Sequence, residues 1–289
     1  MHIPVLLNET IAALDPKPNE NFIDCTFGRG GHSLAILEKT APKGRVLGIE
    51  RDKENILSLP EEARANPRLA IVNDSYANIA DIARSRDFEN IKGILLDLGM
   101  SSWHLDESGK GFSFAKDEPL DMRYDSDSRV DAAKMINRCS EKDLTEIFKN
   151  FGQEKSAKKI ARAIVNARSK KEITTTRDLA RIIFGLPYPR IRSMRARIFQ
   201  ALRVAVNDEF ENIRRGIVSG FEILNAGGRM AAISFHSLED KVVKEEFKKL
   251  AESGRAKLLF KKPIVPSTKE IDANSRAASA KLRAIERVI

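Results

Sequence analysis

The stretch Asp24-Cys25-Thr26-Phe27-Gly28-Arg29-Gly30-Gly31-His32 decides how this chain folds. An apolar run at 21–23 precedes it and residues 33–38 continue it, which predicts a strand, a glycine-rich turn and the start of a helix. Such a turn brings the backbone close to a ligand, and the helix start presents unpaired N–H donors. Asp24, at the end of the strand, disfavours a pyrophosphate and favours a ligand with an ammonium or sulfonium group.

The turn departs from the dinucleotide-binding pattern Gly-x-Gly-x-x-Gly, because Ser33 occupies the third glycine position. A second acid, Glu50, ends the apolar run 45–49, where nucleoside-binding folds place a carboxylate that accepts hydrogen bonds from ribose hydroxyls. Asp24, the glycine turn and Glu50 together favour S-adenosylmethionine over a nicotinamide dinucleotide. The structural alternative is a tight turn that binds no ligand.

Polar or aromatic side chains fall at the ends of four successive predicted strands. Short apolar runs rich in β-branched residues alternate with helical stretches, which predicts βαβ units and a parallel sheet. Ligands bind outside the carboxyl ends of the strands in such a sheet. The four side chains are those of Asp24, Glu50, Tyr76 and Asp97.

Helical periodicity dominates the middle of the chain. Ser140 and Asp143 have the spacing of a capping box, and Thr175 with Asp178 predicts a further helix start. We therefore predict an α/β protein whose helical domain, 105–195, is inserted after the fourth strand. The core that contains the sheet is then discontinuous and is formed by 1–104 and 196–289.

The chain is predicted to return to the sheet through one long helical stretch, 194–224. A fifth strand is predicted at 229–235, directly after Gly227-Gly228. The segments 258–260 and 281–289 have the composition of late antiparallel strands.

Charge is distributed unevenly along the 289 residues, which carry a net charge of +9. Residues 151–215 contain 16 Lys and Arg against 6 Asp and Glu, whereas residues 1–150 contain 20 against 26. A basic block beside a ligand-binding fold predicts a polyanionic partner, most simply nucleic acid. Solvated helix faces are the alternative interpretation.

Cysteine usage and hydropathy indicate the compartment. The two cysteines, Cys25 and Cys139, lack zinc-ligand spacing and form no disulfide framework, so we expect no metal site and a reducing cytoplasm. No apolar run approaches the roughly 20 residues of a membrane span. The first residues lack the pattern of a secretion signal, and we expect a cytoplasmic protein without a membrane segment.

Seven motifs resemble those of one family, the bacterial ribosomal RNA small-subunit methyltransferase H family, also called MraW. The resemblance covers nearly the full length of the chain. The motifs are His2-Ile3-Pro4-Val5-Leu6-Leu7, the stretch Asp24–Ser33, Leu96-Asp97-Leu98-Gly99-Met100-Ser101-Ser102, Gly111-Phe112-Ser113-Phe114, Pro119-Leu120-Asp121-Met122-Arg123, Phe199-Gln200-Ala201-Leu202-Arg203 and Ser234-Phe235-His236-Ser237-Leu238-Glu239-Asp240.

The resemblance implies a class I S-adenosylmethionine-dependent fold and methylation of a cytosine N4 in the decoding region of 16S ribosomal RNA. Glu50 stands where the family usually has Asp, Tyr76 where it has Phe, and Trp103-His104 where it has Pro-Gln. With the glycine turn included, the implied cofactor-binding residues are Asp24, Gly28, Gly30, Gly31, His32, Glu50, Tyr76, Asp97 and His104.

The transfer chemistry needs an acceptor for an N4–H, since the amine lone pair is delocalised into the cytosine ring. Asp97 is the candidate catalytic residue, and no single base is assigned. Neither cysteine is placed as the nucleophile that methylation at cytosine C5 needs. The candidates for lining the base pocket are Ser101, Ser102, His236 and Ser237.

Two other functions remain open at this point. One is a methyltransferase that acts on DNA or a small molecule, and the other is an RNA-binding assembly factor that uses the cofactor fold as a scaffold. The intact acids Asp24, Glu50 and Asp97 disfavour a scaffold without activity. For the favoured function we expect 16S ribosomal RNA as partner, within the small ribosomal subunit, and a monomer or weak dimer.

Overall fold

The computed structural model describes residues 4–61, 65–186 and 191–289, so His2 of the first motif lies outside the described residues. The chain divides into two compact units. The sheet unit comprises Met1–Gly99 and Phe210–Ile289, and the helical unit comprises Met100–Glu209. No helix within the described ranges is both long and apolar enough to cross a membrane.

The sheet unit contains a seven-stranded sheet of order β3-β2-β1-β4-β5-β7-β6. The first five strands run parallel, and β7 is antiparallel to both β5 and β6. The carboxyl ends of the parallel strands therefore share one edge, as the sequence predicted. The strands are β1 (Asn21–Asp24), β2 (Val46–Glu50), β3 (Leu69–Asn73), β4 (Ile91–Asp97), β5 (Leu224–Ser234), β6 (Ala256–Leu258) and β7 (Lys281–Arg287).

The α-helices alternate with the first strands and then follow one another through the helical unit. Those described are α1 (Leu7–Leu14), α2 (Gly31–Lys39), α3 (Lys53–Leu57), α4 (Ile79–Ser85), α5 (Ser102–Asp106), α6 (Ala132–Arg138), α7 (Glu141–Asn150), α8 (Ala157–Arg168), α9 (Thr176–Phe184), α10 (Ile191–Asn207), α11 (Glu209–Ile223), α12 (Ser237–Glu252) and α13 (Thr268–Ala273).

Both faces of the sheet are covered by helices. Successive strand residues point to opposite faces, so Ile23 packs in one apolar layer and Phe22 in the other. The layer around Ile23 includes Phe221 of α11 and Phe247 of α12, and the layer around Phe22 includes Ile36 of α2. Each fully buried side chain of this kind stabilises the fold by roughly 1.5–3 kcal/mol relative to exposure.

The helical unit has its own apolar core, which includes Phe148 of α7, Ile160 of α8 and Ile183 of α9. The predicted helix starts are present: Ser140 and Asp143 form a reciprocal capping box, and the Thr175 side chain accepts from the Asp178 amide. The unit extends beyond the predicted insertion, 105–195, because α10 contributes Met194, Ile198, Phe199 and Leu202 to this core.

The prediction of one helical stretch over 194–224 is wrong. Two helices occupy it, because Asp208 between them adopts a left-handed φ of 50°. Asp tolerates that conformation better than most residues. At the end of α10, Asn207 accepts from the Tyr124 amide at 2.9 Å and donates to the Met122 carbonyl at 2.7 Å, which fixes the break.

The fifth strand is longer than the predicted 229–235. It begins at Leu224, whose partner in β4 is Ile91. The register then shifts, and Arg229 pairs with Gly93. Gly227 and Gly228, which preceded the predicted strand, lie inside this irregular section of β5, and Gly227 has a φ of +71°.

Candidate active site

The turn after β1 has the predicted geometry of a glycine-rich loop that leads into a helix. Gly28 and Gly30 have φ angles of +54° and +76°, and Gly30 caps α2. A Cβ on Gly30 would lie 2.7 Å from the ring of Phe27, and one on Gly31 would lie 2.4 Å from the side chain of Pro4. Side chains at these two positions would therefore disrupt the turn.

Asp24 is almost completely buried at the end of β1. Its carboxylate accepts from the Ser33 hydroxyl at 2.7 Å and from the Thr26 amide at 3.2 Å. Burial is the main cause that raises the pKa of Asp24 to about 6. The hydrogen bonds from Ser33 and Thr26 lower this pKa, and the nearby Glu50 carboxylate raises it. Asp24 is thus a buried acid that titrates close to neutral pH.

Glu50 is also buried, and its carboxylate supports the glycine turn directly. It accepts from the Gly28 amide at 3.0 Å, the Asp52 amide at 2.9 Å and the Asn55 side-chain amide at 2.8 Å. Asn55 also donates to the Gly28 carbonyl at 3.1 Å. The sequence analysis missed Asn55, although its position one turn into the helix after β2 was available as a signal.

Asp97 ends β4, and its amide donates to the Thr26 hydroxyl at 2.6 Å. The Asp97 atom Oδ1 is buried and makes no hydrogen bond within the described residues. Burial raises the pKa of Asp97 well above its ordinary value, and the carboxylates of Asp24 and Glu239 raise it further. The Asp97 carboxylate therefore lies in a strongly acidic environment.

His32, in the first turn of α2, contacts the end of β4. It is buried, and its Nε2 lies 3.1 Å from the Val5 carbonyl oxygen. Because a carbonyl only accepts, Nε2 carries the hydrogen. The other ring nitrogen, Nδ1, lies 3.5 Å from Asp97 Oδ2. His32 therefore links the N-terminal segment to Asp97.

Tyr76 follows β3 in a short 3-10 helix, Tyr76–Asn78, and is half-buried against the apolar layer of the sheet. A Cβ on Gly216 of α11 would lie 2.6 Å from the Tyr76 ring. The missing side chain at Gly216 thus makes room for the ring at the end of β3.

His236 and Ser237 lie at the start of α12, directly after β5. The Glu239 amide donates to His236 Nδ1 at 3.3 Å, and the Glu239 carboxylate accepts from the Phe235 and His236 amides. His236 is therefore a helix cap, and Ser237 is the first helical residue. Glu239 is a buried acid that the sequence analysis missed as part of this edge.

The remaining predicted site residues belong to the helical unit. Ser101 caps α5, and its hydroxyl lies 2.9 Å from His104 Nδ1. The His104 ring is buried against the rings of Trp103, Phe112 and Tyr124. Ser102 is the first residue of α5.

The sheet unit thus brings together the acids at the ends of β1, β2 and β4. Asp24 interacts electrostatically with both Glu50 and Asp97, and Glu239 adds a fourth carboxylate near Asp97. Such a group favours a cationic ligand, because a positive charge lowers the cost of ionising closely placed buried acids. The N-terminus of α2 and the glycine turn favour the carboxylate of the same ligand. An amino acid with an added sulfonium matches both features.

A seven-stranded sheet with an antiparallel seventh strand, a glycine turn after β1 and acids at the ends of the following strands define a class I S-adenosylmethionine-dependent methyltransferase fold. The chain belongs to the MraW methylase family, whose sequence model matches residues 1–288. The family resemblance found in the sequence is confirmed.

Curated relatives support the same family. The ribosomal RNA small subunit methyltransferase H of Caldicellulosiruptor bescii is 42% identical, and the match covers 99% of both chains. The protein of the same name from Clostridium botulinum is 39% identical over 99% of both chains. Among solved structures, an rRNA methylase from Clostridium thermocellum covers 100% of both chains with a TM-score of 0.50 and 11% identity, which supports the fold alone.

Proposed function

We propose that this chain transfers a methyl group from S-adenosylmethionine to the exocyclic N4 of a cytosine in the decoding region of 16S ribosomal RNA. The observation that carries the proposal is the acidic edge of the sheet beside the glycine turn. The names of the relatives at about 40% identity supply the substrate. Transfer to DNA or a small molecule, and a scaffold without activity, are the competing functions.

The residues at this edge fit the cofactor. Asp97 Oδ1 is a buried acceptor without a hydrogen-bond partner in the described residues, as expected where a ligand donor completes the site. Gly30 and Gly31 allow the turn to pack closely against Phe27 and Pro4 where α2 begins, and the N–H groups of a helix N-terminus favour a ligand carboxylate. Asp24 and the turn are assigned to the methionine half, with His32 fixing the position of Asp97.

The nucleoside half is assigned to the ends of β2 and β3. Glu50, the buried acid that ends β2, is assigned to the ribose, because a carboxylate at this strand end can accept hydrogen bonds from ribose hydroxyls. Tyr76 offers a ring for stacking on adenine, and the absence of a side chain at Gly216 leaves room for that ring. His104 is assigned a further cofactor contact on family resemblance.

When bound, S-adenosylmethionine supplies an electrophilic methyl group. The protein must hold the target amine in line and accept a hydrogen bond from its N4–H. Asp97 Oδ1 is assigned as that acceptor. Ser101, Ser102, His236 and Ser237 are assigned to the walls of the base pocket. Because a stacked cytosine cannot reach a strand-end site, the target base is unpaired or flipped out.

The helical unit is assigned to substrate recognition, and 105–195 is its sequence-predicted extent. Its exposed cations provide the sequence-independent attraction that RNA phosphates need. The small ribosomal subunit, the cytoplasmic location and a monomer or weak dimer belong to the same proposal.

Mass-spectrometric nucleoside analysis tests the function. Small ribosomal subunits from cells lacking the protein are incubated with the purified enzyme and S-adenosylmethionine, and N4-methylcytidine is expected to form in 16S ribosomal RNA. Methylated DNA or a methylated small molecule instead would move the function to the first alternative. RNA binding without any methyl transfer would support the scaffold.

A further inference from the structure

We propose that a basic pocket in the helical unit, which we call the nucleotide pocket, binds one unpaired nucleotide of the RNA; the inference rests on the proposed function. The nucleotide pocket has a volume of about 340 Å³ and lies among the loop 114–117, helix α9 and Arg195 of α10. Ligand sites in proteins typically begin near 300 Å³, and a single nucleotide is of this size class.

The charge of the nucleotide pocket favours an anion. Four cations line it, Lys116, Arg177, Arg181 and Arg195, against the single carboxylate of Asp117. Arg177 pairs with Asp117 at 3.1 Å, which neutralises one of the four. The pocket therefore keeps a positive surplus that a phosphate can neutralise.

Two of these guanidinium groups have N–H donors that no described residue accepts from. Arg181 is exposed and makes no side-chain hydrogen bond or ion pair with any described residue. Arg195 lies over the ring of Phe114 at 5.3 Å, and its buried Nε has no hydrogen-bond partner in the part of the chain that the structure describes. A buried donor without a partner costs free energy, so an acceptor from a ligand would stabilise this arrangement.

The aromatic lining selects the kind of anion. The ring of Phe184, at the end of α9, is 65% exposed although it is large and apolar. Exposed rings beside cations are typical of surfaces that bind single-stranded nucleic acid, where bases stack on the ring and phosphates meet the cations. An acidic peptide satisfies the cations and leaves the ring exposed, so an unpaired nucleotide fits both features better.

Fluorescence anisotropy with a labelled single-stranded fragment of the 16S decoding region tests the pocket. Phe184→Ala is expected to weaken RNA binding roughly 5- to 100-fold with an unchanged salt dependence, because stacking is not ionic. Arg181→Ala is expected to weaken binding and to reduce the slope of log affinity against log salt by about one. Phe184→Tyr is expected to retain binding.

The control variant is Lys244→Ala, which removes an exposed cation of α12 in the sheet unit that does not line the pocket. It is expected to bind RNA like the wild type. Circular dichroism and calorimetric affinity for S-adenosylmethionine are expected to be unchanged in all four variants, since the mutated side chains are exposed and none is assigned to the cofactor site.

The outcomes separate this inference from the proposed function. If both Phe184→Ala and Arg181→Ala bind RNA with wild-type affinity, the proposal that the nucleotide pocket binds RNA is overturned, even if methyl transfer is intact. Weaker binding to ribosomal subunits but not to the RNA fragment also overturns it and indicates a protein contact. If the wild type transfers no methyl group to RNA and the two variants still lose RNA affinity, the proposed function fails and the pocket stands.

Discussion

The hydroxyl of Ser33 donates to the carboxylate of Asp24 at 2.7 Å, and both side chains are buried. The residue that breaks the dinucleotide-binding pattern is therefore the residue that holds the acid at the end of β1. A glycine at position 33 would remove this hydrogen bond and leave Asp24 its contacts with Thr26, whose amide donates at 3.2 Å. Ser33 and Asp24 therefore act as a hydrogen-bonded pair, and the titration of Asp24 can be measured.

Asp24 makes the folded protein sensitive to pH. Its pKa is raised from 3.8 to about 6, so its contribution to stability is fully present below 3.8 and is lost as the pH rises through about 6. The shift corresponds to about 3 kcal/mol. Asp24→Asn is expected to flatten the loss of stability between pH 4 and pH 7, measured by urea unfolding. Asp81→Asn, at an exposed acid of α4, should keep the wild-type slope, and equal slopes in both variants would contradict the assignment.

Cofactor binding is expected to release protons near pH 6. A cationic ligand beside Asp24 favours its carboxylate, so the pKa of Asp24 falls on binding and the affinity rises with pH from about 5 to 7. Titration calorimetry in two buffers with different ionisation enthalpies measures the proton count. Asp24→Asn should reduce that count, and an unchanged count would place the titrating group elsewhere.

Glu50 is expected to act on the cofactor both directly and through the turn. Glu50→Ala removes a charge-assisted hydrogen bond to the ribose, worth roughly 1.5–3 kcal/mol, or about 10–150-fold in affinity for S-adenosylmethionine. Asn55→Ala removes the hydrogen bonds that Asn55 donates to Glu50 Oε2 and to the Gly28 carbonyl, but it leaves the Glu50 carboxylate in place. A smaller effect for Asn55→Ala, measured by calorimetry, is expected. Equal effects would show that Glu50 acts only by holding the turn.

The parallel strands and the glycine turn followed from the sequence because both depend on local signals. Apolar runs of strand length recur between helical stretches. The positive φ angles at Gly28 and Gly30 are conformations that glycine adopts at little energetic cost. Asp24, Glu50 and Asp97 were placed at one edge for the same reason, since parallel strands end together.

The details that escaped prediction depend on contacts between distant residues. Asp208 interrupts the helical stretch where Asn207 bonds to the backbone of Tyr124 and Met122, and no local pattern encodes those partners. The support of Glu50 by Asn55 is likewise a property of the folded turn. Helical periodicity alone could not reveal either contact.

The exposed cations of α8 are expected to bind RNA through phosphates. Lys158, Lys159 and Arg162 are exposed, and reversing all three charges should lower RNA affinity and flatten its salt dependence. The matched control reverses Lys241, Lys244 and Lys248, three exposed cations of α12 in the sheet unit. Cofactor affinity should stay constant in both variants. Unchanged RNA binding in the α8 variant would make that face a solvated surface.

Asp97→Asn is expected to slow methyl transfer strongly and to leave the fold intact. The amide of residue 97 keeps its bond to Thr26, so the end of β4 stays in place. Asparagine removes the charge and turns one of the two acceptor positions into a donor, which opposes acceptance of a hydrogen from the target amine. Losing a charged hydrogen bond in a site this buried costs roughly 1.5–3 kcal/mol, or about 10–150-fold in rate.

The assay is methyl transfer to small ribosomal subunits, with circular dichroism for the fold and calorimetry for the cofactor. Asp81→Asn again provides an exposed acid as the control. If Asp97 acts on the target amine, the rate should fall much more than the affinity for S-adenosylmethionine. A parallel loss of both would make Asp97 a cofactor ligand only. A folded variant that works at the wild-type rate would remove Asp97 from the chemistry and direct the search to Ser101, Ser102 and His236.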